Sequence, residues 1–152
     1  MSSLRWQWLR FPELGLDDLY DLLALRAQVF VVEQRCAYLD PDGLDRSASQ
    51  LLGRDADGAL QAALRVVDPG FKYAEPSIGR VVTAPAWRGR GAGRALMVEG
   101  LARCQAAWPG QGIRISAQSR LAPFYGTLGF EAVGEPYLED DIPHREMFRR
   151  PP

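Results

Sequence analysis

The stretch VVTAPAWRGRGAGRALMVEGL, Val81 to Leu101, is apolar at both ends and carries a run of Arg and Gly between them. Three readings compete for that run: a basic patch for nucleic acid, a flexible linker, and a phosphate cradle between a strand and a helix. Upstream, SIGRVVT (Ser77–Thr83) reads as a short strand. Downstream, RALMVEGLARCQAAW repeats Leu96/Met97, Leu101 and Cys104 at helical spacing and is ended by Pro109 and Gly110. A strand therefore delivers the chain to the run at Thr83, and a helix beginning around Gly93 leaves it. Glycines lack Cβ and let a ligand approach the backbone, while the first amides of a helix point outward unsatisfied. With the helix dipole these groups make an anion site, to which Arg88, Arg90 and Arg94 add charge-assisted hydrogen bonds. A pyrophosphate matches such a site. A Gly-rich turn carrying solvated arginines is the competing reading, and short glycine patterns alone do not decide it.

Two familiar nucleotide templates fail here. No Gly-x-x-x-x-Gly-Lys-Ser/Thr run exists in the chain. A Gly-x-Gly-x-x-Gly fingerprint starting at Gly89 meets Arg94 at its sixth position, and one starting at Gly91 meets Leu96. What remains is Arg88-x-x-Gly91-x-Gly93.

The rest of the chain narrows the function classes. Its 152 residues form one domain, 1–152, large enough to bury roughly two-thirds of the unfolded surface. Hydrophobic residues make up 47% and charged residues 24%, a globular composition. A formal charge of −1 provides no global field toward nucleic acid or an anionic membrane. Of 18 basic residues, Lys72 is the single lysine. The N-terminus MSSLRWQWLRF has no apolar core for a signal peptide, and no apolar run approaches about 18 residues. Cys36 and Cys104 fit neither a disulfide framework nor a metal site, and His144 is the only histidine, so reduced thiols, a cytoplasmic location and no metal are expected.

Periodicity sketches the remaining elements. Leu4, Trp6 and Trp8 alternate in a half-buried strand over Leu4–Leu9. A helix follows from Asp17, with Leu19, Leu22, Leu23 and Phe30 near one face and Asp17 and Asp18 at its positive end. CAYLDPDGLDRSAS is a turn-rich acidic loop. QLLGRDADGALQAALRVVD reads as a hairpin around Asp57-Gly58, with Leu60, Ala62, Leu64 and Val66 on one face. IRISAQ is a strand, RLAPFYGTL a short helix stopped at Gly129, and FEAVGEPYL and HREMFRR two terminal strands. The sum is a mixed α+β sheet in one domain.

Arg/Gln-x-x-Gly-x-Gly/Ala after a strand, matched by RGRGAG, resembles the acetyl-CoA motif of the GNAT N-acetyltransferases. FYGTLGF (Phe124–Phe130) is similar to that family's Tyr-x-x-x-Gly-Phe segment. LRAQVFVVEQRCAYLDPDGLD and EDDIPHREM resemble the ElaA-type branch, and the likeness extends over nearly the whole chain. The resemblance implies a mostly antiparallel central sheet flanked by helices, with a V-shaped splay between the two central strands. It further implies that Val81, Val82 and Thr83 offer main-chain groups to pantetheine. The amides of Gly89, Arg90, Gly91, Ala92, Gly93 and Arg94 hold the pyrophosphate, with Arg88 at the loop entrance. Tyr125 matches a tyrosine that protonates the departing thiolate. SIGRVVT lacks the glutamate that some relatives use as a base, which leaves Glu33 and His144 as candidates, acting through water.

On this reading the chain moves an acetyl group from acetyl-CoA to a small-molecule or peptide primary amine in a ternary complex. Asp40 and Asp42, with Asp45, Glu139, Asp140 and Asp141, are acidic residues that would draw a cationic amine, and Gln118 ends its strand where it would orient the substrate. For most of those acids a solvated loop is the expected reading, ahead of the substrate role. A non-catalytic acyl-CoA-binding module and a longer acyl donor stay open, as does a homodimer, a common state among similar proteins. Neither a nucleic-acid nor a membrane partner is expected.

Overall fold

The structure is a computed structural model that describes residues 3–152. Strand β1 (Arg5–Arg10) pairs antiparallel with β2 (Ala48–Arg54), β2 with β3 (Leu60–Val67), and β3 with β4 (Ser77–Thr83). A second sheet has β7 (Ile142–Arg149) between β5 (Ile113–Gln118) and β6 (Phe130–Glu139), again antiparallel. The two sheets meet at β4 and β5, where the Arg114 N–H donates to the Pro76 carbonyl at 3.1 Å. Arg114 also holds Glu75 and Glu146, each at 2.9 Å, which pins that end of the joint. No ladder joins β4 to β5 among the described residues, so the two sheets open away from the joint.

Helix α2 (Ala92–Ala107) lies on one face. Its Leu96, Met97, Leu101 and Cys104 pack with Leu51, Leu64, Ile78, Ile113 and Ile115, and the partly buried Leu4, Trp6 and Trp8 join them. Full burial of Leu96 and Met97 contributes roughly 2 kcal/mol each. Gly100 lets the helix approach: a Cβ there would stand 2.8 Å from a Leu64 methyl. On the opposite face, helix α1 (Leu16–Arg26) buries Leu22 and Leu25 against Leu52, Ala63 and Val82. Asp18 accepts the Gly15 N–H at 3.0 Å and so caps its start, as the early acids suggest.

Three expectations need correction. Helix α1 continues through Ala27–Glu33 as a π-helix, in which the Gln34 N–H reaches the Val29 carbonyl five residues back at 3.2 Å. Its core face is Leu22, Leu25 and Val29, and it includes Arg26, fully buried; a basic residue on an inner face is invisible to hydrophobic spacing. The hairpin forms as expected, with the Asp55 carboxylate accepting the Asp57 and Ala59 amides. A bulge beside Gln61 then turns Leu60 to the α1 face, away from Ala62, Leu64 and Val66. The acidic loop is exposed along much of its length, but its aspartates are engaged. Asp40 and Asp45 are buried, at 2.8 Å each from Arg26, and Asp42 lies 2.6 Å from Arg65.

Strand β4 carries a second bulge. Ala63 pairs with Val82 and Arg65 with Gly79, so Arg80 and Val81 together face Leu64. Arg80 adopts φ +50°, a left-handed conformation rare for arginine, and Asp40 holds its guanidinium: Oδ1 lies 2.8 Å from Nε, and the carbonyl accepts from a terminal N–H at 2.9 Å. This bulge lies where β4 parts from β5.

Candidate active site

The opening between β4 and β5 is a cleft of about 510 Å³. Main chain from Gly79 to Thr83 forms one wall and Ile115 to Gln118 the other. The π-helix closes one side with Glu33, and the β6–β7 turn closes another with Glu139 and His144. Val82 is buried in the α1 core and Val81 packs on the α2 core, so their side chains serve packing and only their backbone edge remains for a ligand. That edge has no strand partner, an arrangement that can pair with an extended amide-bearing chain.

Past Thr83 the chain makes one tight turn, Pro85–Trp87, and reaches the Arg-Gly run. Gly89 and Gly91 have φ of +75° and +76°, a region that disfavours residues with Cβ. Gly91 caps α2, and the first intrahelical bond runs from the Ala95 N–H to the Gly91 carbonyl at 3.0 Å. The amides of Gly89, Arg90, Gly91, Ala92, Gly93 and Arg94 donate to no acceptor among the described residues. Six free donors at the positive end of a 16-residue helix are an arrangement that could hold an anion such as a pyrophosphate. The three arginines are held differently. Arg90 stacks 5.1 Å over the Trp87 ring, and Arg94 donates to the Thr127 hydroxyl at 3.1 Å, tying the loop to α3 (Ala122–Gly126). Arg88 makes a two-pronged ion pair with Glu33, one prong at 2.9 Å. That pairing holds the Glu33 carboxyl below its ordinary range, chiefly through the Arg88 hydrogen bonds.

Tyr125 reaches the cleft from α3. Its ring is edge-on to Phe124 at 5.3 Å and to Phe130 at 6.0 Å, which fixes its direction. Burial pushes its phenol up to about 12, so it stays protonated across the neutral range. His144 sits in β7 opposite Gln118 of β5. Its Nδ1 is 2.7 Å from the Ile142 carbonyl, which accepts only from an N–H and so assigns the proton to Nδ1. Nε2 is then the nitrogen left to take a proton, with a Glu139 oxygen 3.3 Å away to balance the charge. Gln118 links outward to Gln34 at 3.4 Å and accepts from Arg120 at 3.2 Å. Among the described residues no group of His, Cys, Asp and Glu could hold a metal ion. No helix there is long and apolar enough to cross a membrane.

The structure thus gathers Val81–Thr83, Arg88, Glu33, Tyr125, Gln118 and His144 around one cleft. Asp40 and Asp42 are not among its walls; their oxygens are engaged behind it with Arg26, Arg65 and Arg80. The adjacent Asp140 and Asp141 have φ of +51° and +60°, as a two-residue hairpin between Glu139 and Ile142 requires. Short polar side chains that tolerate this geometry account for both. Sequence patterning gave no sign of Lys72, Arg80, Ser116 or Tyr38 as cleft residues, because each lies on a different strand or loop. Nor did it pair Ser116 with Tyr137, whose hydroxyls are hydrogen-bonded at the rim.

Comparison with known proteins agrees with this geometry. A family model described as an acetyltransferase (GNAT) domain matches residues 36–150. UPF0039 protein sll0451 of Synechocystis is 44% identical over 151 residues, 99% of this chain and 98% of its own. Protein ElaA of Escherichia coli is 40% identical over 148 residues, 96% of each chain. The crystal structure of E. coli ElaA superposes with a TM-score of 0.90 at 40% identity, covering 97% of this chain and 99% of that one. An acyl-CoA N-acyltransferase from Pseudomonas aeruginosa gives a TM-score of 0.92 at 45% identity with the same coverage. The fold is the expected α+β one, with its splay at β4 and β5, and the chain belongs to the GNAT acyltransferase family, whose members use acyl-CoA as co-substrate, within the group that includes ElaA.

Proposed function

We propose that this chain is an N-acetyltransferase that moves the acetyl group of acetyl-CoA directly to a primary amine within a ternary complex. The observation that carries the reading is the row of free amides from Gly89 to Arg94 at the start of α2, directly after the unpaired edge of β4. Those amides bind the pyrophosphate, and the Val81–Thr83 main chain pairs with the pantetheine arm. The thioester is thereby placed in the splay beside Tyr125 and His144.

The acceptor enters from the β6–β7 side as an ammonium ion. His144 Nε2 takes its proton through water, while Glu139 balances the imidazolium and Ile142 keeps the ring oriented. The neutral amine forms a C–N bond to the acyl carbon, its nitrogen releases a second proton to solvent, and the C–S bond breaks. Tyr125 gives its phenolic proton to the leaving thiolate and is reprotonated from solvent. Glu33 serves a different purpose from a base, because a carboxylate clamped by Arg88 is a weak proton acceptor; it holds Arg88 at the loop entrance. Gln118 orients the acceptor.

A thiol-release assay over a panel of primary amines tests the reading. Release that depends on the amine, with the acetylated amine recovered in equal amount, supports it. Acetyl-CoA binding without release against any amine would remove the catalytic part. Running the same assay with longer acyl-CoAs sets the acyl-chain preference.

A further inference from the structure

The chain keeps a single lysine among 18 basic residues, and that lysine lines the cleft. Lys72 sits in the loop between β3 and β4, where the Gly70 N–H bonds the Tyr73 carbonyl at 2.7 Å and Gly70 has φ +90°. The turn sets the ammonium 5.7 Å over the Tyr73 ring, while the side chain as a whole stays open to solvent. Its neighbours explain why this ammonium has no carboxylate partner. Arg26, Arg65 and Arg80 meet Asp40, Asp42 and Asp45 in a closed network, three charges against three, with contacts of 2.6–2.8 Å. That network leaves nothing for Lys72, which makes no ion pair or side-chain hydrogen bond among the described residues. Glu139 is the charge that acts on it most strongly, without an ion pair between the two.

The β6–β7 turn supplies the opposite sign. Glu139 and Asp140 line the same cleft, with Glu139 beside His144, yet neither pairs with Lys72. One cleft therefore holds an unpaired cation on one element and carboxylates on another. An amine without a second charge would satisfy only the acidic side. An α-amino acid satisfies both, with its ammonium toward Glu139 and His144 and its carboxylate on Lys72.

We propose that the acceptor is a zwitterion carrying a carboxylate near its amine, an amino acid or a close analogue, and that Lys72 recognises that carboxylate. The inference rests on the acyl-transfer reading and names its substrate class. Lys72 is a specificity residue and takes no part in the bond changes.

The test uses pairs that differ only by the carboxylate. Thiol release with phenylalanine against phenethylamine, and with lysine against cadaverine, reads turnover. Binding of N-acetylphenylalanine against N-acetylphenethylamine to the CoA-loaded chain reads recognition without chemistry. The carboxylate-bearing member of each pair is expected to be favoured at least tenfold, through KM in turnover and through affinity in binding. Lys72→Met abolishes that preference and leaves acetyl-CoA affinity unchanged, and Lys72→Arg restores most of it. Equal binding of the two N-acetyl compounds, no binding of either, or a preference that survives in Lys72→Met overturns the proposal. Failure of every acceptor to release thiol counts against the acyl-transfer reading instead, and the binding pair still decides the role of Lys72.

Discussion

Tyr125 illustrates how much a single side chain depends on what surrounds it. Its place before Thr-Leu-Gly-Phe resembles a family segment, yet only the structure supplies its environment of edge-on Phe124 and Phe130 and a phenol pushed up to about 12. A general acid must be protonated before the step, and this one is. Tyr125→Phe is expected to lower kcat by about 100-fold or more, the scale of proton-transfer catalysis, with acetyl-CoA affinity unchanged. Steady-state kinetics beside calorimetry separates the two quantities, and unaltered kcat removes the residue from the acid role. Asp40 and Asp42 teach the reverse lesson. Their acidity suggested a substrate role, but a carboxylate bound by two arginines has no capacity left for an amine. Sequence spacing does not reveal that pairing, because Arg26, Arg65 and Arg80 come from a helix and two separate strands.

At the scale of elements, the strands and α2 were legible because their apolar spacing matches what they bury. Ile113, Ile115 and Ala117 alternate inward in β5, and Leu96, Met97, Leu101 and Cys104 recur along one face of α2. The turn before α2 was legible for a related reason: only glycine fits φ near +75° comfortably, so Gly89 and Gly91 mark it in the sequence itself. The π-helical end of α1 and the β4 bulge were not legible, since both arise from tertiary contacts that offset a local cost. Close packing at the start of β5 yields a separate prediction. A Cβ on Gly112 would meet the Phe148 ring and stand 2.7 Å from the Arg149 carbonyl, which cannot retreat without disturbing β7. Gly112→Ala should cost about 2 kcal/mol, within the usual range for overpacking. Urea unfolding measures it, and a loss near zero would mean that the β5–β7 contact is looser than described.

Over the whole molecule, the buried network of three arginines and three aspartates fastens the loop after α1 to the sheet that forms one wall of the cleft. Arg26→Leu removes the fully buried member and leaves Asp45 and Asp40 short of a partner. A destabilisation of about 3 kcal/mol is expected from stranding buried charge, read as a lowered urea midpoint. The network also sets an acid limit. Asp42 and Asp45 are held below the ordinary carboxylate range, so their stabilisation is present above the unfolded value near 3.8 and is lost as pH falls through the depressed folded values. Tyr38, Tyr73 and Tyr125, each pushed up to about 12, work in the other direction. Their contribution is present below the unfolded value of 10.0 and declines as pH rises from there toward 12. Stability followed by circular dichroism should therefore form a plateau between roughly pH 5 and pH 9 and fall on both sides. A steady decline through the neutral range would contradict this account.

On the proposed function, the amides of Gly89 to Arg94 and the open edge of β4 form an acyl-CoA site. Calorimetric titration of the chain with acetyl-CoA, beside a Gly91→Val variant, tests it most directly. One site with a dissociation constant in the micromolar range is expected for the native chain. Binding at least tenfold weaker is expected in Gly91→Val, where a branched side chain is forced into a left-handed turn at the start of α2. Absence of binding at millimolar acetyl-CoA, or equal affinity in a folded Gly91→Val, would contradict it.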